Sequence, residues 1–339
     1  YRRTNSPEQL AIADGVAQKF FGAANYAALT TPQKAQIGAA KAVRAAAIGA
    51  LSNPVTSNYK DTLLTTQFTP SYKITDNLTA YTSYQHGEKS GSALNVNFVN
   101  SNVKPERTDA YELGLKSLLW NGKLNVNADV FYMNIKDYQS AVRVVDIFTT
   151  QTNLANNQAN PVAYVTAQGN VKRVAGKGFE LDTFLSAIPN TTIRLSGAYT
   201  DIRYKDFKNA AFPEELAYLS TPAAPFTDQS GRTLPGISKW NFNVGAEYRR
   251  PLFTDWLGHA SFNTSYNSKF NNTDLLSSFG VVGGYSRTDA AIGVTTTNGF
   301  DVSLVGRNVF DDRAHEQGFA QFSPYPYPRW FGVTVSGKL

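Results

Sequence analysis

Side chains with catalytic chemistry are few and scattered. The three histidines, His86, His259 and His315, lie far apart with no carboxylate at metal-ligand spacing, so no metal or cofactor site is expected. His259 and Ser261 supply the letters of a hydrolase pair on one strand face. However, no G-x-S-x-G elbow, phosphate loop or dinucleotide fingerprint accompanies them. With no cysteine, thiolate ligands, disulfides and a cysteine nucleophile are excluded. The chain does not read as an enzyme. Its recognition chemistry lies in a knot of aromatics, Phe319, Phe322, Tyr325 and Tyr327, followed by Arg329 and stiffened by Pro324, Pro326 and Pro328. Rigid rings with little entropy to lose suit a ring-bearing or sugar-like ligand, although packing of the loop on itself would use the same residues.

The elements that would position these groups follow from composition and period. Of 339 residues, 17% are charged and 13% aromatic, including 18 tyrosines and 21 phenylalanines. Charge is therefore below the usual quarter, while no stretch approaches the roughly 18 unbroken apolar residues of a membrane helix. The net charge of +6 comes from scattered Lys and Arg, which does not suit a nucleic-acid surface.

Residues 1–58 have helical spacing. Ser6-Pro7-Glu8-Gln9 reads as a cap with proline in the first turn, and Ile12, Val16 and Phe20 follow at four-residue steps. A second start at Thr31-Pro32 leads into Ala40, Val43, Ala47 and Leu51 before Asn53-Pro54. From about residue 60 the period becomes two. Leu124, Val126, Ala128, Val130 and Tyr132 alternate with polar residues, as do Trp240 to Tyr248, Ala260 to Tyr266 and Phe331 to Val335. Eleven strands are expected, at 62–73, 78–86, 107–119, 123–137, 171–186, 191–204, 237–250, 257–269, 284–296, 299–309 and 328–339. Short turns at 75–77, 120–122, 189–190, 253–255 and 297–299 alternate with long connections at 87–106, 138–170, 205–236, 270–283 and 310–327. Runs of this length with one greasy face, joined alternately by short and long connections, are the signature of a transmembrane antiparallel β-barrel. A sandwich would have shorter strands.

Parity then assigns faces. Glu112, Lys116, Asp129, Glu180, Asp182, Arg194, Glu247, Arg249 and Arg307 fall on the polar face, because a charge in hydrocarbon costs several kcal/mol. They would be solvated, pair with one another, or hold a plug. Trp120, Trp240, Trp256, Tyr248, Tyr266 and Trp330 suit the interfacial girdles. With short turns on the periplasmic side, residues 1–58 become an extracellular insertion and 59–339 a barrel wall. Eleven antiparallel strands cannot close on themselves, so further strands are expected before Tyr1.

Several phrases then resemble the C-terminal half of TonB-dependent outer-membrane receptors. Val103 to Lys116 is similar to that family's "KPE…YELGLK" strand, Tyr81 to Gly87 to "Y-x-S-Y-x-x-G", and Lys177 to Leu181 to "KGFELE". Leu234 to Lys239 resembles "LPGVPKH", Gly306 to Asp312 resembles "V-x-N-L-F-D-x", and Pro328-Arg329 precedes the last strand as the family's "PR" does. The resemblance implies the second half of a 22-stranded barrel in a Gram-negative outer membrane, in contact with lipid and lipopolysaccharide. It further implies import of a scarce, bulky small molecule, most typically a ferric siderophore, driven by the TonB–ExbB–ExbD complex through a plug. Neither plug nor TonB box is among these residues, and Leu339 stands where the family usually has a terminal Phe or Trp. A passive channel, or a structural or adhesive barrel built on the helical insertion, is the alternative.

Overall fold

The computed structural model describes residues 7–48, 59–96, 99–313 and 327–337. The chain forms two compact units. One comprises residues 1–57, 95–100 and 147–161; the other holds the rest.

In the first unit, α1 (Pro7–Phe21) ends where Gly22 takes φ +62°. The N–H groups of Gly22 and Ala23 return to the carbonyls of Gln18 and Ala17, a paired closure that favours glycine. The second helix, α2 (Thr31–Ile48), starts with the side chain of Gln33 accepting from the Thr30 N–H at 2.8 Å, the reciprocal half of a capping box. Ala17 and Leu29 are buried and the Asp14 carboxylate accepts from the Tyr26 N–H, so the helices and their connection pack together. Two helices form where expected, while Ser6, Leu51 and Asn53-Pro54 lie outside the described residues.

The strands begin, in chain order, with β1 (Thr66–Phe68), β2 (Ser71–Thr75), β3 (Leu78–Lys89), β4 (Ser92–Val96), β5 (Val99–Val103), β6 (Glu106–Leu119) and β7 (Leu124–Val145); all belong to the second unit except residues 95–100 of β4 and β5, which, like the helix after β7, fall in the first. After α3 (Ile147–Ala155) come β8 (Tyr164–Leu185), β9 (Thr191–Asp206), β10 (Trp240–Phe253) and β11 (Trp256–Asn267). The last are β12 (Phe270–Asn271), β13 (Val281–Val282), β14 (Tyr285–Thr296), β15 (Asp301–Arg307) and β16 (Trp330–Ser336). The small pairs β4–β5 and β12–β13 lie in the long connections. All other strands form one antiparallel sheet in chain order, with β1 and β2 sharing β3 as neighbour. The expected first strand thus divides at Thr69-Pro70, where proline has no N–H for the ladder. The sheet is open, and β16 pairs only with β15 among the described residues.

Register fixes two faces. Leu113, Val130, Phe179, Tyr199 and Trp240 are in one cross-strand row, and Leu115, Ala128, Leu181 and Gly197 in another. Leu113, Val130, Ile292, Leu304 and Val333 on this face are all more than half exposed, as expected of a wall that meets lipid. Phe179, Tyr199, Trp240, Phe242 and Tyr266 make a continuous ladder of rings with centroids 4.8–6.1 Å apart, an aromatic girdle toward the long-connection end. Trp330 departs from expectation. It pairs with Arg307 on the polar face and its ring folds over Gly332, so it belongs to no lipid girdle.

Beyond the girdle, β7 and β8 continue as 22-residue strands, about twice what a bilayer needs. The expected 138–170 connection therefore shrinks, with α3 inside it. The cause is a phase change. Asp137 takes φ +52°, and after it the buried positions move from Met133 and Ile135 to Tyr138, Val142 and Val144. Alternation read through that point cancels. This extension carries a hydrophobic core in which Ile135, Val142, Val171, Val174 and Tyr204 pack with Phe207, Ala210, Leu234 and Leu276 from the 207–239 and 268–284 connections. Because Ile135, Val174 and Tyr204 share the polar-face register, these connections fold over that face at its long-loop end.

Leu115→Arg, on the lipid face near mid-wall, should destabilise the folded barrel by about 2–4 kcal/mol in bilayer unfolding titrations. Phe207→Ala should cost about 3–5 kcal/mol of loop packing. It should speed proteolysis within 207–237 while the heat-modifiable electrophoretic mobility of the barrel is kept.

Candidate functional site: the polar face and its mouth

The polar face is built by strand parity, which places alternate side chains on one side. Register brings Glu112 beside Ser83 and Phe131, Lys116 beside Thr79 and Asn127, Asp129 beside Glu180, and Asp182 beside Asn127 and Ser196. Arg194 lies opposite Gly245, Glu247 opposite Ser261, and Arg249 opposite His259. Together with Arg307, all nine charged candidates therefore share one face of the sheet.

They divide into two neighbourhoods. In the first, the Tyr81 ring lies over Gly114, its hydroxyl donates to Glu112, and the Lys116 ammonium sits 5.1 Å from the ring centroid. A Cβ at residue 114 would collide with that ring, so glycine is what lets Tyr81 reach the carboxylate. Next to it, Asp129, Glu180 and Asp182 line a groove with Asn127, Asn241 and Asn243. In the second neighbourhood, Arg249 pairs with Glu247 and Arg307 with Asp289, and Arg194 lies 5.7 Å from the Phe184 ring. Asp289 also accepts from the Asn308 N–H at 3.0 Å, a role that its place in the 284–296 alternation could have revealed.

Two cross-strand pairs escaped sequence reading because register alone creates them. His86 Nδ1 lies 2.8 Å from Asp109, and His259 Nε2 lies 2.7 Å from Asp301, which also accepts from Thr295 and Ser303. The partner of His259 is thus a carboxylate rather than Ser261. Among the described residues no three metal-ligating side chains converge.

Of the aromatic loop, Phe319, Phe322, Tyr325 and also His315 lie outside the described residues. Tyr327 and Arg329 mark its returning stem. Asn308, buried and in a left-handed conformation, donates through Nδ2 to the carbonyls of Asp312 and Tyr327, both at 3.0 Å. Asp311 accepts from the Arg329 N–H at 3.2 Å and pairs with Arg313, whose guanidinium holds that carboxyl below its ordinary range. The Asn-x-Phe-Asp phrase is therefore a clamp on the loop stem, while the Tyr327 ring is 80% exposed.

The mouth is tied in the same manner. Gln229, buried, donates to the Leu275 carbonyl at 3.0 Å, and Gly236 donates its N–H to Asn271 at 2.7 Å. Glu215 accepts from the Ser278 N–H at 2.7 Å and from the Ser277 and Ser278 hydroxyls. Partial burial opposes ionisation of Glu215, but those donors outweigh it and hold the carboxyl below its ordinary range.

An open antiparallel wall with a lipid face, a charged inner face and folded loops at one end is part of a transmembrane β-barrel. The chain belongs to the TonB-dependent receptor family: the family model "TonB dependent receptor-like, beta-barrel" matches residues 39–309. This places it in the outer membrane of Gram-negative bacteria. The same fold occurs in the ferric yersiniabactin uptake receptor FyuA from Yersinia pestis (16% identity, TM-score 0.58, 79% of this chain and 36% of that one). It also occurs in the siderophore receptor PiuA from Acinetobacter baumannii (20%, 0.58, 80% and 35%) and in the copper transporter OprC (17%, 0.55, 81% and 39%). The chain spans a little over a third of the length of these structures.

Because the folded-state carboxyl of Glu215 is depressed, its contribution to the mouth is present above the unfolded value, about 4.3, and is lost as pH falls below it. Glu215→Gln should remove that pH dependence. By hydrogen exchange at residues 277–279, it should open the tie by about 1.5–3 kcal/mol at neutral pH.

Proposed function

We propose that this chain is the C-terminal wall of an outer-membrane receptor that imports a small molecule with energy supplied through TonB. In this reading residues 59–339 form the second half of a larger barrel, residues 1–58 are an extracellular insertion, and a plug occupies the polar face. The observation that supports it best is the acidic neighbourhood of Glu112, Asp129, Glu180 and Asp182, which has Lys116 as its near cation. Carboxylates gathered this closely favour an opposing cationic surface, which a plug inside the lumen would offer. Family membership supports the import role, and the named neighbours include a ferric yersiniabactin uptake receptor, a siderophore receptor and a copper transporter.

A ferric siderophore is the substrate class we favour, with Tyr327 and the loop it belongs to as part of the outer recognition surface. Its ring is solvent-facing while its backbone is clamped, so little order is lost on binding.

Cells expressing the full-length receptor should accumulate radiolabelled ferric siderophore until a protonophore collapses the proton-motive force. Uptake should then fall to that of cells without the receptor. Uptake that persists would identify a passive channel.

A further inference from the structure

Across the polar face, one register row reads Phe184, Arg194, Gly245, Asn263 and Asp289 on β8, β9, β10, β11 and β14. Arg194 stands there between a ring and a gap. On one side its guanidinium lies 5.7 Å from the Phe184 ring, and on the other Gly245 offers no side chain. A Cβ at residue 245 would come within 3.1 Å of the Asn263 amide oxygen, so glycine is what leaves room between Arg194 and Asn263. Glycine inside a strand weakens it and often marks a place where a ligand approaches closely. The result is an open groove of about 330 Å³ lined by Thr192, Arg194, Glu247, Ser261, Asn263 and Arg307.

The charges around this groove leave one cation over. Glu247 is taken by Arg249, and Asp289 by Arg307 and the Asn308 N–H. Arg194 is exposed, and no carboxylate lies within ion-pair distance of it among the described residues. Its neighbours on the same face of β9 are the hydroxyl side chains of Thr192 and Ser196, with Asp182 opposite Ser196 one row nearer the mouth. Along β9, Arg194 lies four residues from Ala198, which opposes Glu180, and four from Asn190 in the short turn. Four residues of strand cover about 13 Å before tilt, so the cation sits between the acidic neighbourhood and the short-turn end. A cation held in a cleft with low-dielectric walls raises the local concentration of anions.

We propose that Arg194 and this groove form a transit station for the imported solute, and that the solute is an anionic metal chelate. The guanidinium would take a carboxylate or phenolate oxygen of the chelate, while Asn263, Ser261 and Thr192 hydrogen-bond its polar groups. One exposed cation among neutral groups binds weakly enough to release, as a passage requires. A plug that must stay in place is better served by the dense charge at Glu112, Asp129, Glu180 and Asp182. The station rests on the import reading and narrows it to cargo of net negative charge.

Cells with the full-length receptor as their sole route for ferric chelates are given radioactive iron as an anionic tris-catecholate or as an uncharged trihydroxamate. In wild type the anionic chelate should enter, and a protonophore should stop it. Arg194→Gln should lower its maximal uptake rate about tenfold, the usual worth of one hydrogen bond to a charged group. The half-saturating concentration and the binding to de-energised cells should not change, because the lost contact is made after capture. Arg194→Lys should restore most of the rate. Gly245→Asp, which sets a carboxylate beside Arg194, should lower the rate as Arg194→Gln does, and it serves as the test if Arg194→Gln lacks the heat-modifiable mobility of a folded barrel. Entry of the uncharged chelate alone, an unchanged rate in the variants, or an equal loss for both chelates would overturn the station, and the last would set Arg194 against the plug instead. Entry of neither chelate, or entry indifferent to the protonophore, would overturn the import reading and the station with it.

Discussion

Hydrocarbon offers no hydrogen bonds, so within the bilayer each backbone N–H and C=O must find its partner in the next strand. The rest of the structure follows from this constraint. It forces an uninterrupted antiparallel ladder from β3 to β16, in which every residue of the membrane band is paired in register. It confines irregularities to the ends: the Pro70 break at one edge strand, and the Asp137 phase change and the shift between Arg173 and Val174 beyond the girdle. It also makes parity unforgiving. A one-residue slip of β7 would put Asp129 and Asn127 into lipid and Val130 into the lumen.

For the same reason the wall was legible in sequence. Where Leu124 to Tyr132 alternate with Lys123 to Phe131, lipid on one side and water on the other leave one workable register, and the expected strands recur in order, with the first divided at Pro70 and the fourth and fifth longer than expected. The turns were legible because they need particular backbone conformations. Trp120-Asn121-Gly122 and Asn190 take positive φ, and Gly299 does so at +78°. Once strands and turns were placed, the face of every charged candidate followed by counting.

Legibility ended where lipid stopped enforcing alternation. Past Tyr132 both faces of β7 and β8 meet protein or water, so hydrophobic residues could change phase at Asp137 without penalty, and the strands ran on unseen. The mouth core draws on Phe207, Leu234 and Leu276. These lie far apart in sequence and carry no period, since loops packing on a sheet need only reach it. The histidine–aspartate pairs were hidden for a related reason: His259 and Asp301 are 42 residues apart, and meet because β14 sits between them in register. Trp330 misses the girdle because it lies one residue before lipid-facing Phe331, so strand parity puts it opposite Arg307 on the polar face.

The two regimes divide the work of the molecule. In the wall, stability comes from a ladder that any side chain of suitable polarity can join, so the inner face is free to carry charge. In the mouth, stability comes from a small packed core and a few side-chain ties: buried Gln229 on Leu275, buried Asn308 on Asp312 and Tyr327, and half-buried Glu215 on Ser277 and Ser278. A buried polar group that loses such a partner costs about 1–3 kcal/mol, so substitutions at these ties are less tolerable than charge changes on the wall. The loops at the mouth therefore depend on a handful of specific contacts, whereas the inner face can vary in charge while the fold stays the same. That separation lets one barrel architecture carry different recognition surfaces.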